Sequence, residues 1–222
     1  MFKDGYTILA PQMSPIHFDL VEPVFRKYGF NVVILDNDNR TAVDVGLKYV
    51  NNDACYPSIV VVGQIMEAVL SGRYDTDRLA IAMSQTGGCC RASNYVGFIR
   101  RALDKVGLSH IPVISVNANG MEKNGGFRVS PGLLFDAVKA IVYGDLFMRC
   151  LYRVRPYEIV PGSADSLHEE WKKICLDSLL NPDSEYKYKD VCKGIVNAFD
   201  SFPINENIHK PRVGIVGEIL VK

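Results

Sequence analysis

Two cysteines in this sequence sit where sulfur would be held as a thiolate. Cys90 ends the run Gln85-Thr86-Gly87-Gly88-Cys89-Cys90, a glycine-rich turn that leads through Arg91 into a helix from about Ala92. The partial positive charge of a helix start and the neighbouring guanidinium both favour thiolate over thiol. Cys55 lies in Asn51-Asn52-Asp53-Ala54-Cys55-Tyr56-Pro57, and Pro57 suits the first turn of a following helix. A thiolate ligates metals and attacks electrophiles, so both chemistries stay open at these positions. Two sulfurs do not complete a site, because iron–sulfur clusters and structural zinc commonly take four ligands. The sequence has no C-x2-C pair, and adjacent Cys89 and Cys90 are poorly placed to share one centre or one disulfide. Cys150, Cys175 and Cys192 fall in helix-like patterns and read as small core residues.

Other polar groups gather in loops that follow apolar runs. Pro11-Gln12-Met13-Ser14-Pro15-Ile16-His17 follows the first run, and Asn117-Ala118-Asn119-Gly120 follows a later one. In an open parallel sheet such loops, beyond the carboxyl ends of the strands, are where ligands bind. His17 reads as a half-buried structural residue early in a helix, and His110, His168 and His209 read as surface residues. No Gly-Lys-Ser, Gly-Lys-Thr or G-x-G-x-x-G occurs, so nothing supports nucleotide binding.

The elements that would carry these loops are legible from periodicity. Residues 6–10, 31–35, 79–83 and 112–116 are apolar runs without alternation, which marks strands buried on both faces. Helical spacing occupies 14–29, 41–50, 57–70 and 92–106. The expected class is α/β: a doubly wound, mainly parallel, Rossmann-like or flavodoxin-like sheet with additional C-terminal helices. Residues 1–130 form the expected α/β domain and 131–205 a helical extension packed on it. In that extension Leu133, Leu134, Ala137, Val138, Ile141 and Val142 make one apolar face, extended by Leu146, Leu151 and Tyr152. Residues 206–222 read as the first strand of a following, truncated domain, because Arg212-Val213-Gly214-Ile215-Val216-Gly217-Glu218 opens a new unit. The chain is thus expected to be a fragment.

Composition narrows the function classes. The 222 residues carry 25 Lys plus Arg and 25 Asp plus Glu, so no net basic charge marks a nucleic-acid binder. Hydrophobic residues at 48% and charged residues at 23% fit a folded globular chain rather than a disordered one. There is no apolar run long enough for a membrane-spanning helix and no signal-peptide core at the start, so a cytoplasmic location is expected.

The three motifs at Pro11–His17, Tyr49–Pro57 and Gln85–Tyr95 resemble the C-terminal region of large 2-hydroxyacyl-CoA dehydratase activator-like proteins. Gly217-Glu218-Ile219-Leu220-Val221-Lys222 is similar to the start of that family's next motif. The resemblance implies an iron–sulfur protein of ATP-driven, low-potential electron transfer. Cys55 and Cys90 would ligate a 4Fe–4S cluster, which the isolated chain need not hold. Cys89 departs from the family pattern, which has a third glycine there. Gln85, Thr86, Gly87 and Gly88 would shape the pocket, Arg91 would offset the cluster's negative charge, and Ser14 and His17 would line the same rim. Implied partners are ATP-binding activase modules or a dehydratase-like protein, with a homodimer as a further arrangement. An alternative is a non-catalytic domain that docks activase modules to a partner, and a third reading is a thiol redox enzyme using Cys89 and Cys90. Whether the chain is itself an enzyme is left open by the sequence.

Overall fold

A computed structural model describes residues 5–37, 39–51, 53–85, 90–116, 127, 129–211 and 213, with Arg91 described through its backbone alone. The chain forms two compact units. The first draws on Met1–Met13 and Gly29–Arg128, the second on Ser14–Tyr28 and Val129–Gly214.

The first unit is built on four parallel strands: β1 (Thr7–Pro11), β2 (Asn31–Leu35), β3 (Leu79–Ser84) and β4 (Val113–Val116). Their order is β2-β1-β3-β4. Ile8 pairs with both Val32 and Ala80, and Ile81 with Val113. This is the doubly wound, flavodoxin-like α/β order expected from the unalternating apolar runs. Three helices belong to the unit: α2 (Arg40–Tyr49), α3 (Tyr56–Leu70) and α4 (Tyr95–Lys105). Asn39 caps α2 by accepting the Ala42 N–H, whereas Cys55 occupies the cap position of α3 without using its sulfur there. Leu9, Ile81, Val62, Ile65, Ile99 and Leu103 form the core between sheet and helices.

Helices α2 and α3 meet backbone to backbone. A Cβ at Gly46 would overlap the Ile59 carbonyl, and one at Gly63 would overlap the Ala42 carbonyl. The two glycines are therefore the surface on which α3 is seated, and α3 carries Cys55 at its first turn.

The second unit holds α1 (Pro15–Lys27), α5 (Pro131–Val154), α6 (Ser163–Leu180) and α7 (Tyr188–Asp200). Pro15 opens α1 just after Ser14, and Gly29, with φ of 86°, lies just past its end. Although α1 links β1 to β2 in sequence, it is counted with the helical unit. The strand expected near the C-terminus, the loop Asn117–Gly120 and the run Thr86–Cys89 lie outside the described residues.

The core face of α5 differs from expectation. Leu133, Asp136, Ala140, Tyr143, Gly144, Phe147 and Leu151 are buried, while Leu134, Val138, Ile141, Val142 and Tyr152 are exposed. The cause is close packing by α1. Gly144 lies directly under the His17 ring and Gly132 under the Tyr28 hydroxyl, so α1 approaches the side of α5 that has least bulk. Asp136 is tolerated there because it is fully partnered. Lys27 Nζ donates to it at 2.9 Å, the Tyr28 hydroxyl at 3.0 Å and Lys139 Nζ at 3.2 Å. Burial acts to raise the carboxyl pKa, but these three donors outweigh it and hold Asp136 below the usual carboxylate range.

His168 is buried, against the expectation of a surface residue. It shares one face of α6 with Ala164, Cys175 and Leu179, and its ring meets Phe147 edge-on at 4.6 Å between centroids. Its Nε2 is buried without a hydrogen-bond partner. Burial depresses its proton affinity more than nearby Glu169, Asp165 and Asp19 restore it, and Lys172 depresses it further. The neutral ring is therefore the folded form. Since the unfolded chain takes up a proton near pH 6.5, stability should be full above that pH and decline as the pH falls below it. Chemical denaturation at a series of pH values should show this decline, and His168→Met should flatten it above the carboxylate range. An unchanged slope in the variant would assign the effect elsewhere.

Candidate functional site

In the strand order of the first unit, β1 connects towards β2 on one side and β3 towards β4 on the other. The carboxyl ends of β1 and β3 thus flank the point where the winding reverses, the usual ligand position of such sheets. Directly after β3 the chain runs through Gln85 to Cys90, a short 3-10 helix (Arg91–Asn94), and then α4.

Gln85 braces this stretch. Its amide nitrogen donates to the Ser93 carbonyl at 2.8 Å, its amide oxygen accepts from Ser115 Oγ at 2.5 Å, and its backbone N–H donates to the Val116 carbonyl. Both ends of the amide are thus engaged in joining β3, β4 and the 3-10 helix, and the residue fixes the Cys90–Tyr95 segment rather than presenting its head group to solvent.

Cys90 is exposed and its Sγ accepts the Ala92 N–H at 3.5 Å. Cys55 is half-buried, and its Sγ lies 3.3 Å from the Tyr95 hydroxyl. Tyr95 is buried, at 6% exposure. Burial raises its pKa most, the Cys55 contact adds to this, and charge at Cys90 adds again. The phenol therefore stays protonated at neutral pH, and either it or the Cys55 thiol donates in their contact. Since Tyr95 opens α4 at the carboxyl end of β3, both cysteines lie at that end of the sheet, Cys55 in contact with the Tyr95 hydroxyl and Cys90 at the start of the 3-10 helix that precedes it. Tyr95 lies within the Gln85–Tyr95 motif, and the sequence alone assigns it no role. The available signal was a phenol at a helix start, where an otherwise apolar ring would place a polar tip in the loop cluster.

The remaining expected residues are placed as follows. Thr86, Gly87 and Gly88 lie outside the described residues, and so does the Arg91 side chain. Ser14 and His17 belong to the second unit. There Ser14 Oγ lies 2.7 Å from His17 Nδ1, and His17 Nε2 lies 3.0 Å from Asp145. This order is the reverse of a hydrolytic relay, in which the serine faces Nε2 and a buried carboxylate faces Nδ1. Asp145 is also 67% exposed. The three residues tie the start of α1 to the middle of α5.

None of the five described cysteines forms a disulfide. Among the described residues no group of three or more His, Cys, Asp and Glu side chains converges as a metal site. The donor set at the sheet end, two thiols each with a nearby hydrogen-bond donor, fits half of a four-thiolate cluster site. No described helix is long and apolar enough to cross a membrane. Comparison of the chain with family models, with curated proteins and with solved structures finds no match.

Proposed function

We propose that the first unit is an iron–sulfur half-site of a 2-hydroxyacyl-CoA dehydratase- or activator-related protein, acting in ATP-driven electron transfer. The observation that supports this reading is that Cys55, in contact with the Tyr95 hydroxyl, and Cys90, which caps the 3-10 helix leading into Tyr95, lie at the same end of the sheet. Cys55 and Cys90 would hold a 4Fe–4S cluster, which supplies one low-potential electron at a time when bound. Tyr95 would donate its O–H to the Cys55 sulfur and the Ala92 N–H would donate to Cys90. Hydrogen bonds to ligating sulfur are one of the levers by which a protein tunes such a centre. Gln85 would keep the two donors in register by tying the loop to β3 and β4. The electron source would be an ATP-binding activase partner, and the setting a reducing cytoplasm that keeps the thiols free.

Anaerobic incubation of the chain with iron and sulfide, followed by iron counting and visible absorption, tests the reading. Wild type should take up iron and sulfide with a broad visible band. Cys55→Ala and Cys90→Ala should each lose most of it, with far-UV circular dichroism confirming that the fold persists. Tyr95→Phe should keep the iron but shift the reduction potential. Uptake in the wild type no greater than in the Cys55→Ala, Cys90→Ala double variant would overturn the assignment.

A further inference from the structure

Helix α3 carries two polar residues in the middle of an apolar run. Between Ser58 and Ser71 every residue is apolar or glycine except Gln64 and Glu67, which stand one turn apart on the same side. Gln64 is 1% exposed, and its Oε1 is buried with no hydrogen-bond partner. Asn37, two residues beyond the end of β2, lies against this pair. Its Nδ2 donates to Glu67 Oε2 at 2.7 Å and to the Gln64 carbonyl at 3.2 Å. Both partners are acceptors, so turning the Asn37 amide over would set oxygen against oxygen. Asn37 Oδ1 is therefore the atom left over, and it too is buried without a partner. Glu67 is half-buried, and among the described residues no cation pairs with it.

We infer that these oxygens hold a monovalent alkali cation, sodium or potassium, between the end of β2 and the middle of α3. Asn37 Oδ1, Gln64 Oε1 and the Glu67 carboxylate are all hard donors, and carbonyl oxygens replace the hydration shell of such ions. A buried water would donate to the two amide oxygens, but it would leave the half-buried carboxylate without a counter-charge. One carboxylate balances one positive charge, whereas divalent sites gain affinity from the number of charged ligands they collect. The ion would tie the segment after β2 to α3, the helix whose first turn carries Cys55. None of its three residues is a proposed cluster ligand, so the site stands or falls apart from the cluster.

Urea denaturation of the whole chain in sodium, potassium and choline chloride tests this, at equal ionic strength so that screening is the same in each. The midpoint should be higher in sodium or potassium than in choline. Once the site begins to fill, each tenfold rise in the favoured ion should raise the folding constant by up to about tenfold. Gln64→Met, which keeps the side-chain volume, and Glu67→Gln should each lose that dependence. The NMR line of the favoured ion should broaden with folded wild type and sharpen when urea unfolds it, a readout that needs no variant. Equal midpoints in the three salts overturn the inference, as does an ion preference that persists in both variants. Stabilisation by calcium far below the sodium or potassium needed overturns it too, because the site would then be divalent.

Discussion

Replacing Gly63 by alanine should destabilise the chain by about 3 kcal/mol or more, whereas Gly97→Ala should stabilise it by about 0.5–1 kcal/mol. Both glycines are helical, so alanine has the same intrinsic advantage at each. What differs is the space. A Cβ at Gly97 meets nothing within 4 Å, while one at Gly63 overlaps the Ala42 carbonyl and stands 3.0 Å from the Gly46 nitrogen. The obstacle is backbone, which cannot rotate away as a side chain can. Helix α3 would have to lift off α2, taking Val62, Ile65 and Met66 out of a fully buried core. Urea denaturation of the two variants beside wild type measures the difference. Equal effects of the same sign would show that α2 and α3 have room to separate. The site provides a second readout, since lifting α3 moves Cys55 away from the Tyr95 hydroxyl.

The second large effect is expected at Asp136. Asp136→Ala should cost about 2–4 kcal/mol, because it removes the acceptor of three donors in a partly buried pocket. The loss is kept below that of a fully buried ion pair, since Lys27 and Lys139 side chains remain 29% and 24% exposed and can turn to water. Lys27 also retains the Leu179 carbonyl, to which it donates at 2.6 Å. Asp136→Asn keeps the shape and the Tyr28 bond but not the charge, and should cost about half as much. Exchanging Lys27 and Asp136 together for methionine and leucine should recover part of the loss. Because the folded carboxyl is held below its unfolded pKa, its contribution is full above about pH 4 and disappears as acid protonates it. Urea midpoints at neutral pH and near pH 3 would test this. An Asp136→Ala penalty of the same size at both would exclude the ionic role.

The sheet was legible in the sequence because four apolar runs lacked alternation, a pattern that only strands covered on both faces require. Proline marked helix starts equally well, at Pro15, Pro57 and Pro131. The buried side of α5 was not legible. Its apolar spacing is stronger on the exposed face than on the buried one, where Asp136 and Gly144 interrupt it. The choice of face was made by α1, whose end residues His17, Lys27 and Tyr28 meet Gly144, Asp136 and Gly132 of α5, contacts across more than 100 positions that no local pattern reveals. His168 was misplaced for a similar reason, because its polar neighbours Glu169 and Glu170 hide a helical face shared with Ala164 and Cys175. At the candidate site, the cysteines were visible as residue types at helix starts, but the contact of the Tyr95 hydroxyl with Cys55 depends on α3 and α4 meeting. The inert role of the Gln85 head group depends on Ser93 and Ser115 in the same way.

Because α1 belongs to the helical unit although it is threaded between β1 and β2, the two units cannot mature one after the other during synthesis. Lys27 stands 109 positions ahead of Asp136, its partner. At ribosomal speed that interval lasts roughly 5–20 s. For that time the apolar side of α1, with Leu20 and Val24, has emerged without the helices that will bury it. The β1–β2 pair can form early only with this segment looped out. A nascent chain arrested before residue 131 should therefore bind chaperones and be cleaved within residues 14–28. The released full chain should resist the protease at the same place.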